Sequence, residues 1–352
     1  MNSRFPAGRC RPLVAVALLA LPLPSSAANP VINEILYRPG TGFPEASQLE
    51  FVELHNPAGE PADLSGWAFT QGVRYTFPAG AVLAGGGYLV VAADPAALLA
   101  ARPGLAAEAV LGPWEAGLKL SNRGETLTLA APDPSAGDGW RTVDRVSYAH
   151  EGDWATRTRD SLGGWSWITQ ANGGGCSTER RNPLLVVDSG QNWADSAAVG
   201  GTPGLVNSRF VANVAPVIQK VRHHPAVPTS AEPVTVSCEL ADEADLSTLG
   251  ARLWWRNATT TTPGAFQSLG MTHEGNGRFS ATLAPMANKG IIEFYIAATD
   301  GTLTRTWPAP NSEGQTTNCA YQVDNEVITG TAPAYRLVLT AAENAAFTAV
   351  NA

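Results

Sequence analysis

Short apolar segments separated by glycine and proline dominate the first half of the chain. The segments lie at residues 31–37, 51–54, 67–69, 75–77, 88–93, 118–121, 125–129 and 143–148. Runs of this length with turn residues between them are typical of strands in an all-β sandwich. The NRG turn at 122–124 predicts a hairpin, and only PAALLAAR at 95–102 predicts a helix.

The second half of the chain shows strict alternation. In VTVSCEL, residues 234–240, apolar side chains alternate with polar ones, so one strand face is expected to be buried and the other wet. Further strands are expected at residues 217–221, 251–255, 278–283 and 291–298. NVAP at 213–216 predicts a linker before this second β-module.

Six motifs follow one another in a characteristic order. They are INEI at 32–35, EFVEL at 50–54, DLSGW at 63–67, YLVV at 88–91, LSNRGETLTL at 120–129 and VDRVSY at 143–148. In this order they resemble the lamin tail domain (LTD) of bacterial secreted proteins, which is an immunoglobulin-like β-sandwich. GGTPG at 200–204 is similar to the tail that closes such domains.

The second module resembles an immunoglobulin-like or fibronectin-III-like domain more loosely. The expected fold is therefore all-β, with two tandem immunoglobulin-like β-sandwich domains. We expect the first at residues 29–208, including a loop-rich C-terminal extension, and the second at residues 214–325.

The first 28 residues have the three parts of a secretory signal. Arg4, Arg9 and Arg11 precede an apolar run at 13–23, and small residues follow it. The run is shorter than the roughly 20 residues needed to span a bilayer, which disfavours a membrane anchor. We therefore expect a secreted or extracytoplasmic protein, in the periplasm or at the cell surface, with no membrane span in the mature chain.

Charge narrows the class of partner. Loss of residues 1–28 removes three arginines and no acids, so the net charge falls from −8 to −11. A chain this acidic, without a basic stripe, disfavours nucleic-acid binding. The expected partner is an unknown protein or glycan at the cell envelope.

The C-terminal segment AYRLVLTAAENAAF, residues 334–347, resembles the first strand of a CotH-type kinase domain. The resemblance implies that residues 330–352 form a truncated start of such a domain. An ordinary terminal strand and helix, or a truncated gene model, explains the segment equally well.

Acidic residues near the defining strands are the first candidates for chemistry. Glu50 and Glu53 are three positions apart, so on a strand they face opposite ways and form no carboxylate pair. We expect one solvated acid and one bonded to a neighbouring loop; a calcium site that uses Glu34, Glu50 or Glu53 is the alternative. The adjacent His223 and His224 face opposite ways too. We predict no catalytic residue, no cofactor and no metal site.

Cysteine and tryptophan supply the remaining candidates. An exported chain can keep a disulfide, and Cys238 with Cys319 is the best pair, although free thiols are an equal alternative. Trp154, Trp165 and Trp167 lie in a loop-rich stretch. We expect them to pin a loop onto the sandwich; stacking on a sugar or a partner protein is the alternative.

These features predict an exported, non-catalytic binding or scaffold module of an envelope or secreted protein. One alternative is the N-terminal accessory region of a CotH-like kinase. Another is a carbohydrate-binding module of a degradative enzyme.

Overall fold

The computed structural model describes residues 29–40, 46–161, 164–327 and 335–350. The expected signal sequence lies outside the described residues. The described residues form two β-sandwiches in succession, which confirms the expected fold class.

Two sheets pack face to face in the first sandwich. Its elements are β1 (Val31–Leu36), β2 (Phe51–His55), β3 (Ala62–Asp63), β4 (Ala68–Gln71), β5 (Tyr75–Thr76), β6 (Val82–Leu83), β7 (Tyr88–Ala92), α1 (Pro95–Ala101), β8 (Val110–Leu111), β9 (Gly124–Pro132), β10 (Trp140–Ala149), β11 (Thr156–Arg159), β12 (Trp165–Ile168), β13 (Thr178–Arg180) and β14 (Trp193–Asp195). In the described residues, the strand order is β14-β13-β1-β2-β7-β8 in the larger sheet and β10-β9-β4-β5 in the smaller. Strands β11 and β12 form a separate hairpin.

The larger sheet is buried on both faces. Ile35, Val52 and Leu54 point into the main core between the sheets. Their neighbours Leu36 and Phe51 point outward into a smaller core beneath α1. This double burial explains why every residue of β1 is buried.

Local chemistry starts helix α1 where the sequence predicts it. Asp94 accepts a hydrogen bond from the Ala97 amide at 3.0 Å, and Pro95 occupies the first helical position. By contrast, the expected strand at 118–121 is wrong. The Leu120 amide donates to the Glu50 carboxylate at 2.8 Å instead of to a neighbouring strand.

The second sandwich follows at once. Its elements are β15 (Val217–His224), β16 (Val234–Ala241), β17 (Gly250–Asn257), β18 (Gln267–Gly270), β19 (Thr272–Gly275), β20 (Arg278–Leu283), β21 (Ile291–Thr299), β22 (Thr304–Trp307) and β23 (Cys319–Gln322), with α2 (Ala341–Val350) beyond them. One sheet has the order β15-β16-β20-β19; the other has β18-β17-β21-β22, with β23 also pairing with β21. Along β16 burial alternates residue by residue, as its sequence predicts.

The junction between the sandwiches is packed rather than free. Val214, in the expected linker, is fully buried in a small core with Leu185 and Val217. Its amide donates to the Glu243 carboxylate at 2.7 Å. The apolar side chain of the linker therefore joins the two sandwiches instead of separating them.

The C-terminal segment forms a helix but no strand. Residues 335–340 have no regular structure, and Thr340 with Glu343 forms a capping box that starts α2. Arg336 forms an ion pair with Asp324. The strand implied by the kinase resemblance is thus absent from the described residues.

Candidate functional site

Three glutamates lie side by side on the outer face of the larger sheet. In the strand register Glu34 of β1 pairs with Glu53 of β2 on one side and with Glu179 of β13 on the other. All three side chains are fully buried. A β-bulge between Ile32 and Glu34 interrupts the alternation of β1 next to this glutamate row.

The glutamate row holds down residues 200–209, here called the closing loop. Glu34 accepts from the Thr202 amide at 2.9 Å, and Glu53 accepts from the Gly204 amide at 2.6 Å. Glu179 accepts from the Ser208 hydroxyl and from the backbone amide of residue 209, both at 2.8 Å. Each carboxylate therefore satisfies polar groups of a loop that would otherwise be left unpaired over the sheet.

Steric crowding explains why the second residue of the GG pair in the closing loop is glycine. Gly201 has a φ of +72°, and a Cβ there would lie 1.7 Å from Glu34 Oε1. Glycine alone avoids both the backbone strain and the clash. The motif that resembles the tail of a lamin tail domain thus closes the domain by covering the glutamate row.

Burial also sets the protonation of the row. Desolvation raises the pKa of Glu34 from 4.5 to about 7. Desolvation, and next the charge of Glu34, raise the pKa of Glu53 well above its ordinary range. Because these carboxyls are sealed beneath the closing loop, we assign them a structural role rather than a catalytic one.

Glu50 is buried as well, so the expectation of one solvated acid is wrong. The expected hydrogen bond to a neighbouring loop is present for both residues, because Glu50 accepts from the Leu120 amide and Glu53 from the Gly204 amide. Among the described residues, no cluster of three or more histidine, cysteine or acidic side chains has an arrangement that suits a metal ion.

A buried ion pair joins the two sheets of the first sandwich. Arg180 of β13 donates to Asp144 of β10 at 2.6 Å and to the Ile32 carbonyl at 2.7 Å. Asp144 also accepts from the Ile32 amide at 2.8 Å. Arg180 is 0 % exposed and lies over the ring of Trp193. Sequence reasoning missed this pair because its members are far apart in the chain.

A cleft of about 680 Å³ lies between the two sandwiches. One wall is the β11–β12 hairpin and the other runs from β22 into residues 308–310. Gln191, at its floor, donates to the Ile218 carbonyl at 2.8 Å and accepts from Arg305 at 3.0 Å. Gln191 belongs to the first sandwich and both of these partners belong to the second, so the bonds fix the two sandwiches relative to each other and the cleft between them is preformed.

Arginine and tryptophan alternate across the hairpin wall. Arg157 pairs with Trp167 in the register, and Arg159 pairs with Trp165. The Arg157 guanidinium lies 4.9 Å from the Trp165 ring centroid and 5.6 Å from that of Trp167. Trp167 keeps 39 % of its surface exposed. Of these four residues, Arg157 and Trp167 line the cleft, where they present positive charge and flat apolar surface.

The three tryptophans singled out in the sequence differ in their surroundings, and Trp165 lies beneath the guanidinium groups of Arg157 and Arg159. Trp154 packs against Trp193 with ring centroids 5.4 Å apart and borders the main core. It pins a loop, as expected. Trp167 instead faces the cleft and stays accessible, so the expectation of a pinning role does not hold for it.

Positive charge in the cleft is only partly compensated. Its lining includes Arg157, Arg181 and Arg305 but a single carboxylate, that of Asp153. Burial, and next the nearby charge of Arg181, lower the pKa of Arg305 to about 10. The sequence showed no signal for this cluster, because the three arginines come from different elements.

The remaining candidates lie apart from the cleft. Cys238 on β16 and Cys319 on β23 belong to opposite sheets and border the same core, and both are free thiols in the structure. Their pairing stays a prediction. His223 stacks on Tyr321 with centroids 5.3 Å apart, whereas His224 is exposed.

Comparison with known proteins bears on the first sandwich. Residues 24–150, about a third of the chain, match the family model described as Lamin Tail Domain. No curated protein matches the chain. Within the ranges that the structure describes, no helix has the length and apolar content needed to cross a bilayer. The match supports a lamin tail domain in the first sandwich, and this immunoglobulin-like domain indicates a non-catalytic binding module.

Proposed function

We propose that this chain is an exported binding module of a secreted or envelope protein, and that the cleft between the sandwiches holds its ligand. The observation that carries the proposal is the preformed cleft, in which an exposed indole and three arginines converge. Pockets of about 300–1,000 Å³ with a few convergent polar groups are the usual form of ligand sites.

Export rests on the sequence of residues 1–28, with its basic, apolar and small-residue parts. Expression of the full chain in a bacterial host tests it. We expect the product outside the cytoplasm with its amino terminus near residue 29. An uncleaved product in the cytoplasm would overturn export while leaving the binding proposal intact.

Binding is tested with the mature protein on envelope material, measured by co-sedimentation over a concentration series. We expect saturable retention that falls when Trp167→Ala and Arg157→Gln are combined. Arg252→Gln, on an exposed strand position away from the cleft, is the matched control. Retention that is absent, or equal in the cleft variant and the control, would refute the proposal.

Catalysis by the buried acids is tested separately. A broad panel of hydrolase and kinase substrates should show no turnover by the purified protein. Robust turnover that is lost in Glu34→Gln would contradict the structural role assigned to the glutamate row.

A second candidate function is the accessory region of a CotH-like kinase. The observation that favours it is the exposure of Tyr335 and Leu337, at 94 % and 78 %, within the segment that resembles the kinase domain. Reading the gene downstream of Ala352 tests it. An in-frame kinase-like continuation would support this candidate, and a stop codon would remove it.

A further inference from the structure

We infer that the cleft between the two sandwiches binds a carboxylate-bearing polysaccharide. This inference rests on the proposed function, because it names the class of ligand for the same cleft. It follows from the charge of the lining, from its hydrogen-bonding groups and from the placement of its aromatic rings.

The charge of the lining selects an anion. Three arginines face one carboxylate, in a chain whose overall net charge is −8. Neither Arg157 nor Arg181 forms an ion pair with a described carboxylate. Asp153, the single acid, is already bonded by the Gln191 amide at 2.7 Å. Arg157 and Arg181 are therefore left to pair with carboxylates of a ligand, whereas Arg305 is bonded to Gln191 and lies near the charges of Asp153 and Asp242.

Hydrogen-bonding groups in the lining point the same way. The guanidinium groups of Arg157, Arg181 and Arg305 donate hydrogen bonds and cannot accept them. Thr304 and Thr306 add hydroxyl groups along the opposite wall. A ligand rich in acceptor oxygens complements a cleft in which donors prevail.

The aromatic rings distinguish a sugar from other anions. Trp167 offers an exposed flat face on one wall, and Trp307 lines the other. The Arg157 guanidinium lies over one face of the Trp167 ring, 5.6 Å from its centroid. A uronic acid has an apolar C–H face and a carboxylate on the same ring, so a single sugar unit can contact both the indole and the guanidinium.

Acidic peptides and nucleic acids match this arrangement less well. Aspartate and glutamate side chains carry a carboxylate but no flat apolar face. Nucleic acids have stacking faces too, but the chain lacks the basic stripe along which proteins bind a phosphate backbone. The observations therefore favour a polysaccharide over either class.

The test is titration calorimetry of the mature protein with three probes. They are oligogalacturonate, a neutral galactose oligomer of the same length and polyglutamate. We expect binding of the oligogalacturonate alone, weakened by added salt. Arg157→Gln, Arg305→Gln and Trp167→Ala should each weaken it by about tenfold or more, whereas Arg252→Gln should not. Thermal melts that match the wild type establish that each variant is folded.

The other outcomes separate the two proposals. Equal binding of the neutral oligomer, or binding of polyglutamate alone, would overturn the acidic-glycan inference and leave a binding module. If none of the three probes binds while retention on envelope material still depends on Trp167, the acidic-glycan inference is again overturned and the binding module remains. If none of the probes binds and the wild-type protein is not retained on envelope material either, both the proposed binding function and the acidic-glycan inference are overturned.

Discussion

Replacing Asp144 with alanine removes the carboxylate that holds the two sheets of the first sandwich together. The Arg180 guanidinium then loses its partner at 2.6 Å, and the Ile32 amide loses its acceptor at 2.8 Å. Arg180 is 0 % exposed, so no solvent compensates its charge. Breaking a buried pair by removing one partner costs about 3–5 kcal/mol, and we expect a loss of this size.

The loss is measured by hydrogen exchange with mass spectrometry, which reports on each sandwich separately. Peptides from β1 and β10 should lose protection, while peptides from β16 and β21 should not. Arg145→Ala is the matched control, because Arg145 is next in sequence and its ion pair with Asp188 is exposed and 3.9 Å long. Exposed pairs contribute at most about 1 kcal/mol. If Asp144→Ala destabilises the protein no more than Arg145→Ala does, the assignment of a buried, stabilising pair is refuted.

Three further predictions concern the closing loop and the thiols. Gly201→Ala should cost roughly 2 kcal/mol or more through its positive φ and its clash with Glu34, whereas Gly104→Ala, in open space, should change urea unfolding by under about 0.5 kcal/mol. The raised pKa of Glu34 means that the folded state binds more protons, so the melting temperature should fall as pH rises from 4.5 to about 7, and Glu34→Gln should reduce this slope; an unchanged slope would contradict the shift. If Cys238 and Cys319 pair in the exported protein, intact-mass analysis after alkylation in denaturant should show two unmodified cysteines that become reactive on reduction; full labelling without reductant would exclude the bridge.

Individual elements show why some predictions held and others failed. The alternation in β16 and the capped start of α1 depend on residues close in sequence, and both formed where expected. Residues 118–121 have an apolar pattern typical of a strand, yet Glu50, about 70 positions away, takes the Leu120 amide. Residues 213–216 connect the sandwiches without regular structure, but the burial of Val214 against Leu185 was not visible in the local sequence. Local patterns carry no information about such distant partners.

The candidate site shows the same division. For Trp167 the sequence favoured a role in pinning a loop, with ligand stacking as the alternative, and its exposure became visible only with β11 and β12 in place. No sequence motif marked Arg181 or Arg305 as a binding residue. Each resembles an ordinary surface arginine in the sequence, and only the packing of the two sandwiches places both in the cleft.

By itself, the sequence determined that this protein is built of strands, that these strands form two successive sandwiches, and that the first resembles a lamin tail domain. Hydrophobic periodicity and turn residues suffice for this, since burial of one strand face is a local requirement. Only the tertiary structure decided that the glutamates of the family motifs lie buried beneath a glycine loop, and that arginines from distant elements share a cleft. Strand register and the packing of one sandwich on the other bring these groups together, and both are properties of the folded chain as a whole.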